Sequence, residues 1–132
     1  MKPRAVAYEA AYSNATRICE INSDPSAYFG RTVVLEGIYS TDSSHYTFIE
    51  DLKCGARNGM NVDGNHPSAD SSVKAFDRDN DSRCRKSPGL CVYDLHIAVE
   101  AEIVRGEAAH LGLGAGNPAI LIRRVLFAHE VR

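Results

Sequence analysis

The sequence predicts a mainly β fold: an N-terminal helix, then five antiparallel strands closing into a small barrel, with an irregular insert between the third and fourth strands. Three observations lead there. Leu95, Ile97, Val99, Ala101 and Ile103 alternate with His96, Ala98, Glu100 and Glu102, giving one apolar and one largely acidic face. Val33, Val34, Leu35 and Ile38 form a β-rich run directly after a turn signal. The strand-like segments follow one another without the strand–helix–strand crossovers of a parallel sheet, which argues for a closed or partly closed antiparallel arrangement.

Taken in order, residues 5–22 read as the helix. Tyr8, Ala11, Tyr12, Ala15, Ile18 and Cys19 recur at spacings of three and four and form one apolar stripe, with Ser13 and Asn14 marking a weak point in its middle. Residues 23–51 carry strands 1 and 2. Ser23 or Asp24 can cap a short turn with Pro25 at its first position, and Gly30 supplies the left-handed conformation that ends it. Gly37 reads as a bulge or bend within strand 1. STDSS (40–44) is a polar turn, and HYTFIED (45–51) returns as strand 2.

Residues 52–91 are the irregular, Cys- and Asp-rich insert. Within it Met60-Asn61-Val62 offers a short third strand, Ser71 to Phe76 suits either a brief helix or a strand, and Asp77 to Lys86 reads as a charge-dense surface loop. Residues 92–132 carry strands 4 and 5, joined by the Gly-rich segment Glu107 to Pro118. Strand 5 places Arg123 and Arg124 on opposite faces, so one enters surroundings that call for a carboxylate, with Glu36 as the candidate.

A chain of 132 residues suits a single domain (1–132) with a genuine core. The formal charge of −2 gives no bulk attraction to nucleic acid or an anionic membrane. No apolar run reaches the roughly 20 residues of a membrane-spanning helix. The start lacks a continuous apolar signal segment, which leaves two locations open: the cytosol, or an exported protein whose signal is missing from this chain. Four cysteines permit three full pairings. Cys19 lies in the apolar helical segment and reads as a buried free thiol. Cys84 and Cys91 flank a turn and can bridge, while Cys54 to either is equally open; unpaired thiols in a reducing cytosol are the competing reading.

The stretches Asp24-Pro25, Tyr28, Gly30 to Gly37 (GRTVVLEG), Phe48-Ile49-Glu50-Asp51 and Ile97 to Ala101 (IAVEA) carry a resemblance. They are similar to motifs of the OB-fold (oligonucleotide/oligosaccharide-binding) superfamily, in particular of small bacterial, often exported, OB-like proteins. The likeness covers residues 23–51 and 92–129 and not the insert. It implies a five-stranded OB-like barrel with its binding face near strands 2 and 3 and the loop joining strands 4 and 5. Ala101 stands where the pattern often has a second glycine.

The chemistry-bearing residues favour a non-enzymatic binding or interaction module for an unassigned small ligand or protein partner. Tyr39, Tyr46, Phe48, Arg57, Gly112 and Gly114 are the candidate ligand-binding residues. A single-stranded nucleic-acid binder on the same surface is the first alternative, with bases stacked on the aromatics. Five aspartates between 63 and 81 and an acidic strand-4 face oppose it. The second alternative is a metal-dependent hydrolase on the barrel. No catalytic or metal-ligating set stands out, and no cofactor is implied: Asp77, Asp79 and Asp81 start like a calcium loop, but Ser82 and Pro88 occupy its sixth and twelfth positions. Cysteine and histidine spacings fit no zinc pattern, and GLGAG (112–116) lacks the Lys-Ser/Thr ending of a phosphate loop.

Overall fold

A computed structural model describes residues 11–42, 46–55, 58–86, 91–106 and 116–131. Its five strands are β1 (Thr32–Thr41), β2 (Thr47–Glu50), β3 (Gly59–Asn65), β4 (Tyr93–Arg105) and β5 (Pro118–Glu130), with helices α1 (Ile18–Ser23) and α2 (Ser71–Arg85). The strands are hydrogen-bonded in the order β1-β2-β3-β5-β4, and β4 returns to β1, so the sheet closes on itself. Strand 4 beside strand 1 in a 4-1-2-3 order is a Greek-key arrangement.

The sheet is mixed, which corrects the all-antiparallel expectation. β3 pairs with β5 in parallel, with Asn61 opposite Ala119 and Asn65 opposite Ile122, whereas the other four pairings are antiparallel. The reason lies in the insert. α2 carries the chain from β3 across to β4, and the β4–β5 antiparallel pair then brings β5 back beside β3 in the same direction as β3.

The alternation on β4 has its expected physical meaning. Leu95, Ile97, Val99, Ala101 and Ile103 are all buried and join Val33, Leu35, Ile49, Met60, Ile120 and Ile122 in one apolar core, which also receives Ile18 and Ile21 from α1 and Val73 and Phe76 from α2. Gly37 sits in unbroken register opposite Ile97 rather than at a bulge. Its role is close approach: a Cβ there would run into the Glu50 carbonyl and the Ile49 side chain of β2. Register shifts fall elsewhere: on β5 opposite Ala98/Val99 and Glu100/Ala101 of β4, and on β3 between Val62 and Gly64. Pro25 opens a short 3-10 turn as expected, but Asp24 accepts from the Ser26 hydroxyl and caps no amide. Gly30 (φ 82°) ends that turn and donates its amide to the Ile103 carbonyl at 2.8 Å.

The helix predicted over 5–22 is shorter in its described part. Only Ile18–Ser23 is helical, and residues 11–17 run alongside the sheet without regular structure. The Thr16 amide donates to the Val34 carbonyl at 2.8 Å, and the Tyr12 ring stacks on Phe127 with centroids 5.9 Å apart. Of the stripe read as a helix face, Tyr12 therefore packs on a sheet strand while Ile18 enters the core from α1, and Ser13-Asn14 form a turn.

Two buried carboxylates hold this segment. Asp51, at the end of β2, accepts hydrogen bonds from the Ile18 amide and the Arg17 guanidinium, both at 3.1 Å, and from the Lys53 amide at 3.0 Å. Glu36, on the outer face of β1, accepts from the Ala11 and Tyr12 amides at 2.9 and 3.0 Å and stands 2.7 Å from His96 Nε2. This corrects the expected Glu36–arginine pair. Arg124 is exposed and bonds Asp70 at 2.9 Å, and Arg123 reaches the Thr32 hydroxyl at 3.2 Å.

Burial pushes the Glu36 carboxyl up, but the two amides and His96 outweigh it and hold it below its ordinary value of 4.5. The folded group thus titrates lower than the unfolded one. Its contribution to stability is complete above 4.5 and is lost as pH falls through the lowered value. Asp70 acts in the same direction, its carboxyl held low by the Ser72 hydroxyl and by Arg124 against the upward effect of desolvation. Thermal unfolding followed from pH 7 downward should therefore show a falling midpoint once pH drops below about 4.5. Glu36→Gln should cost about 1–3 kcal/mol at pH 7 and flatten that acid limb.

Candidate functional site

The insert's second half is helix, not the surface loop expected for Asp77 to Lys86. Asp70 caps α2 by accepting the Ser72 amide at 2.9 Å, and Arg83 and Arg85 lie in its last turn, where cations offset the exposed carbonyls. Val73 and Phe76 seat the helix in the core, and the edge of Phe76 meets the Tyr39 ring at a centroid distance of 5.3 Å.

Where α2 crosses the sheet it walls an open cleft of about 600 Å³. Tyr39 and Thr41 of β1, Thr47 of β2 and Val62 of β3 form the sheet side. Asp77, Asn80, Asp81 and Cys84 form the helix side, while Tyr93 and Tyr46 stand at the margins. An adjoining hollow of about 340 Å³ shares Tyr39, Thr47, Val62 and Asp77 and extends past Asp63 and Asn65, so the two make one trough.

Its geometry is well fixed. Tyr39 is only 8% exposed, and its ring lies 6.4 Å from that of Tyr93 in a near-parallel stack. The Thr41 hydroxyl bonds both the Tyr46 carbonyl and the Thr47 hydroxyl, at 3.0 and 2.9 Å, and the Tyr46 amide donates to Asp42 at 3.1 Å. These bonds pin the backbone beneath the Tyr46 ring, which is 40% exposed at the lip. Asp77 accepts from the Asn65 side chain at 2.9 Å. Arg83 lies over the Tyr93 ring at 4.9 Å and bonds Asn80 and Glu130. Burial pushes the Tyr39 phenol up, reinforced by Tyr93 and Asp77. Tyr93 is raised by burial and by Asp81 and Asp77, with Arg83 pulling the other way. Both phenols therefore enter the trough as neutral hydroxyls.

Of the residues expected to bind ligand, Tyr39 and Tyr46 line the cleft. Phe48 does not; its ring tilts against Tyr46 at 5.5 Å. Arg57, Gly112 and Gly114 lie outside the described residues. Sequence reasoning missed Tyr93 and the helix-side group. The signal was there in part: Val73, Phe76, Asp77, Asn80 and Cys84 follow helical spacing, but only two of them are large apolar residues. On the helix, Asp79 points away from Asp77 and Asp81, so the three do not converge as a calcium loop would require. Among the described residues no three His, Cys, Asp or Glu side chains gather as a metal site would need, and no helix is long and apolar enough to cross a membrane.

The cysteines pair as Cys19–Cys54 and Cys84–Cys91, with Cα separations of 5.7 and 5.4 Å. This corrects the reading of Cys19 as a free thiol and the option of bridging Cys54 to Cys84 or Cys91. Cys54 is brought to Cys19 by Asp51, three residues earlier, which holds the start of α1. Cys84–Cys91 ties the end of α2 to the approach to β4, joining the two walls of the cleft.

The chain matches no protein-family model, no curated protein and no solved structure.

Cys84→Ser with Cys91→Ser should lower stability by about 2–3 kcal/mol, and Cys19→Ser with Cys54→Ser by about 4 kcal/mol, because the second bridge closes the longer loop. Urea unfolding of the two variants checks the order.

Proposed function

We propose that this chain is a non-enzymatic, small-ligand-binding module of OB type, with the trough between the sheet and α2 as its binding site. The observation that carries the reading is the cleft itself: a cavity of about 600 Å³, with two neutral tyrosine hydroxyls, an exposed tyrosine at the lip and three threonine or asparagine side chains, is of ligand-binding size and polarity. The closed five-stranded Greek-key order supports the OB assignment, and the trough lies on the strand 2–3 side beside the β1–β2 connection, where such barrels take their ligands. The two disulfides support an oxidising, exported setting.

The nucleic-acid alternative is disfavoured by Asp77 and Asp81 in the wall, which would repel phosphates. Amide chemical-shift mapping with a panel of small amines, carboxylates and sugars, and with a twelve-residue oligothymidylate, separates the readings. At least one small compound should shift the amides of Thr41, Thr47, Asn80 and Tyr93, and the oligonucleotide should leave them unmoved at low salt. Salt-dependent oligonucleotide binding at these positions, or a cleft silent to every small compound, contradicts the proposal.

A further inference from the structure

We propose that Asn14 is an acceptor for N-linked glycosylation, taking an oligosaccharide from a lipid pyrophosphate donor. The site is separate from the trough, and its use rests on the exported setting that the two disulfides support.

Asn14-Ala15-Thr16 and Asn80-Asp81-Ser82 both spell the acceptor pattern, an asparagine with a hydroxyl residue two positions on and no proline between. The pattern alone is weak, and the fold separates its two copies. A transferase must reach the asparagine amide and the hydroxyl together, so the tripeptide has to be exposed and free of helix. A helix over residues 5–22 would have set Asn14 and Thr16 on different faces. Instead the Ala15 amide donates to the Tyr12 carbonyl at 3.2 Å and closes a turn with Asn14, exposed, at its third position. Ala15 is buried, the Thr16 amide donates to the Val34 carbonyl at 2.8 Å, and the backbone is extended at Arg17. Alternation along this stretch turns Ala15 inward and leaves Asn14 and Thr16 on the other side. Neither the Asn14 side chain nor the Thr16 hydroxyl is hydrogen-bonded to a described residue.

The second copy is an internal control. Asn80 and Ser82 lie inside α2, where residues two apart face different ways. The Asn80 side chain accepts from the Arg83 guanidinium at 3.0 Å and lines the cleft, so it is both engaged and poorly placed for a sugar. Asn14 lines neither hollow, and a glycan on it leaves the trough open. In the transfer, the Asn14 side-chain nitrogen attacks the anomeric carbon of the first sugar. The new C–N bond replaces the C–O bond to the pyrophosphate, which leaves with the electron pair, and the amide gives one proton to a base of the transferase.

The test treats the full, disulfide-bonded chain with a purified single-subunit oligosaccharyltransferase and a lipid-pyrophosphate-linked oligosaccharide, and reads intact mass and tryptic peptides. A synthetic peptide of residues 11–18 reports that the enzyme is active. One glycan mass should be added to the folded chain, at Asn14. Asn14→Gln should abolish the addition, and so should Thr16→Val, which keeps the side-chain shape and removes the hydroxyl. Thr16→Ser should retain it, and Asn80→Gln should leave it unchanged. Modification of the peptide but not of the folded chain would overturn the proposal. So would a glycan on Asn80 in place of Asn14, or transfer that survives Asn14→Gln.

Discussion

The fold depends on one strand, β4, being paired on both sides from Leu95 to Glu102. β4 matches β1 at every position from Thr32 to Thr41 and runs beside β5 from Leu95 to Arg105. A strand so placed has no free edge, and its strict alternation decides which side chains fill the interior and which face outward. Slipping that register by one residue would send Ile97, Val99 and Ile103 outward and bring His96, Glu100 and Glu102 into the core. Closure of the sheet and the position of the core both follow from this constraint. So does the place where Tyr93, at the start of β4, meets Tyr39 and α2.

Around that ring the chain uses polar and covalent ties instead of a larger core. Asp51 and Cys54 lie within four residues and together anchor α1, one through amides and the other through sulfur. Glu36 does similar work on the outer face by gathering two backbone amides that would otherwise lack partners in the sheet. Both carboxylates are buried, and their value lies in satisfied hydrogen bonds rather than in ion pairing alone. At the other end Cys84–Cys91 and the Phe76–Tyr39 contact keep the helix wall at a fixed distance from the sheet wall.

Much of this was legible in the residues, and the failures have physical causes. The alternation of β4 and the Pro25–Gly30 entry into β1 could be read because local pattern and tertiary role agree there. The N-terminal stripe could not, since Tyr12 and Ala15 at helical spacing are equally able to lie on a sheet, and the deciding partners, Glu36 and Val34, are distant in sequence. α2 was half visible: Asp70 and Val73–Phe76 hint at it, but Asp77 to Arg85 are helical through packing and end charges that a short window does not weigh. The parallel β3–β5 pair was hidden for the same reason, because it follows from that helix. Tyr39 and Tyr46, singled out in the sequence as aromatics of strands 1 and 2, both line the cleft. Tyr93 and the aspartate wall were missed because they matter only once the helix is there to oppose the sheet.

α2 stands opposite Tyr39 and Tyr93 and thereby creates the trough. The most direct measurement is an NMR assignment of the oxidised protein with nuclear Overhauser contacts from the Phe76 ring. Helical shifts from Ser71 through Arg85 and contacts between the Phe76 and Tyr39 rings are the predicted result. Random-coil shifts from Asp77 onward, with no contact between those rings, would contradict the account at its base.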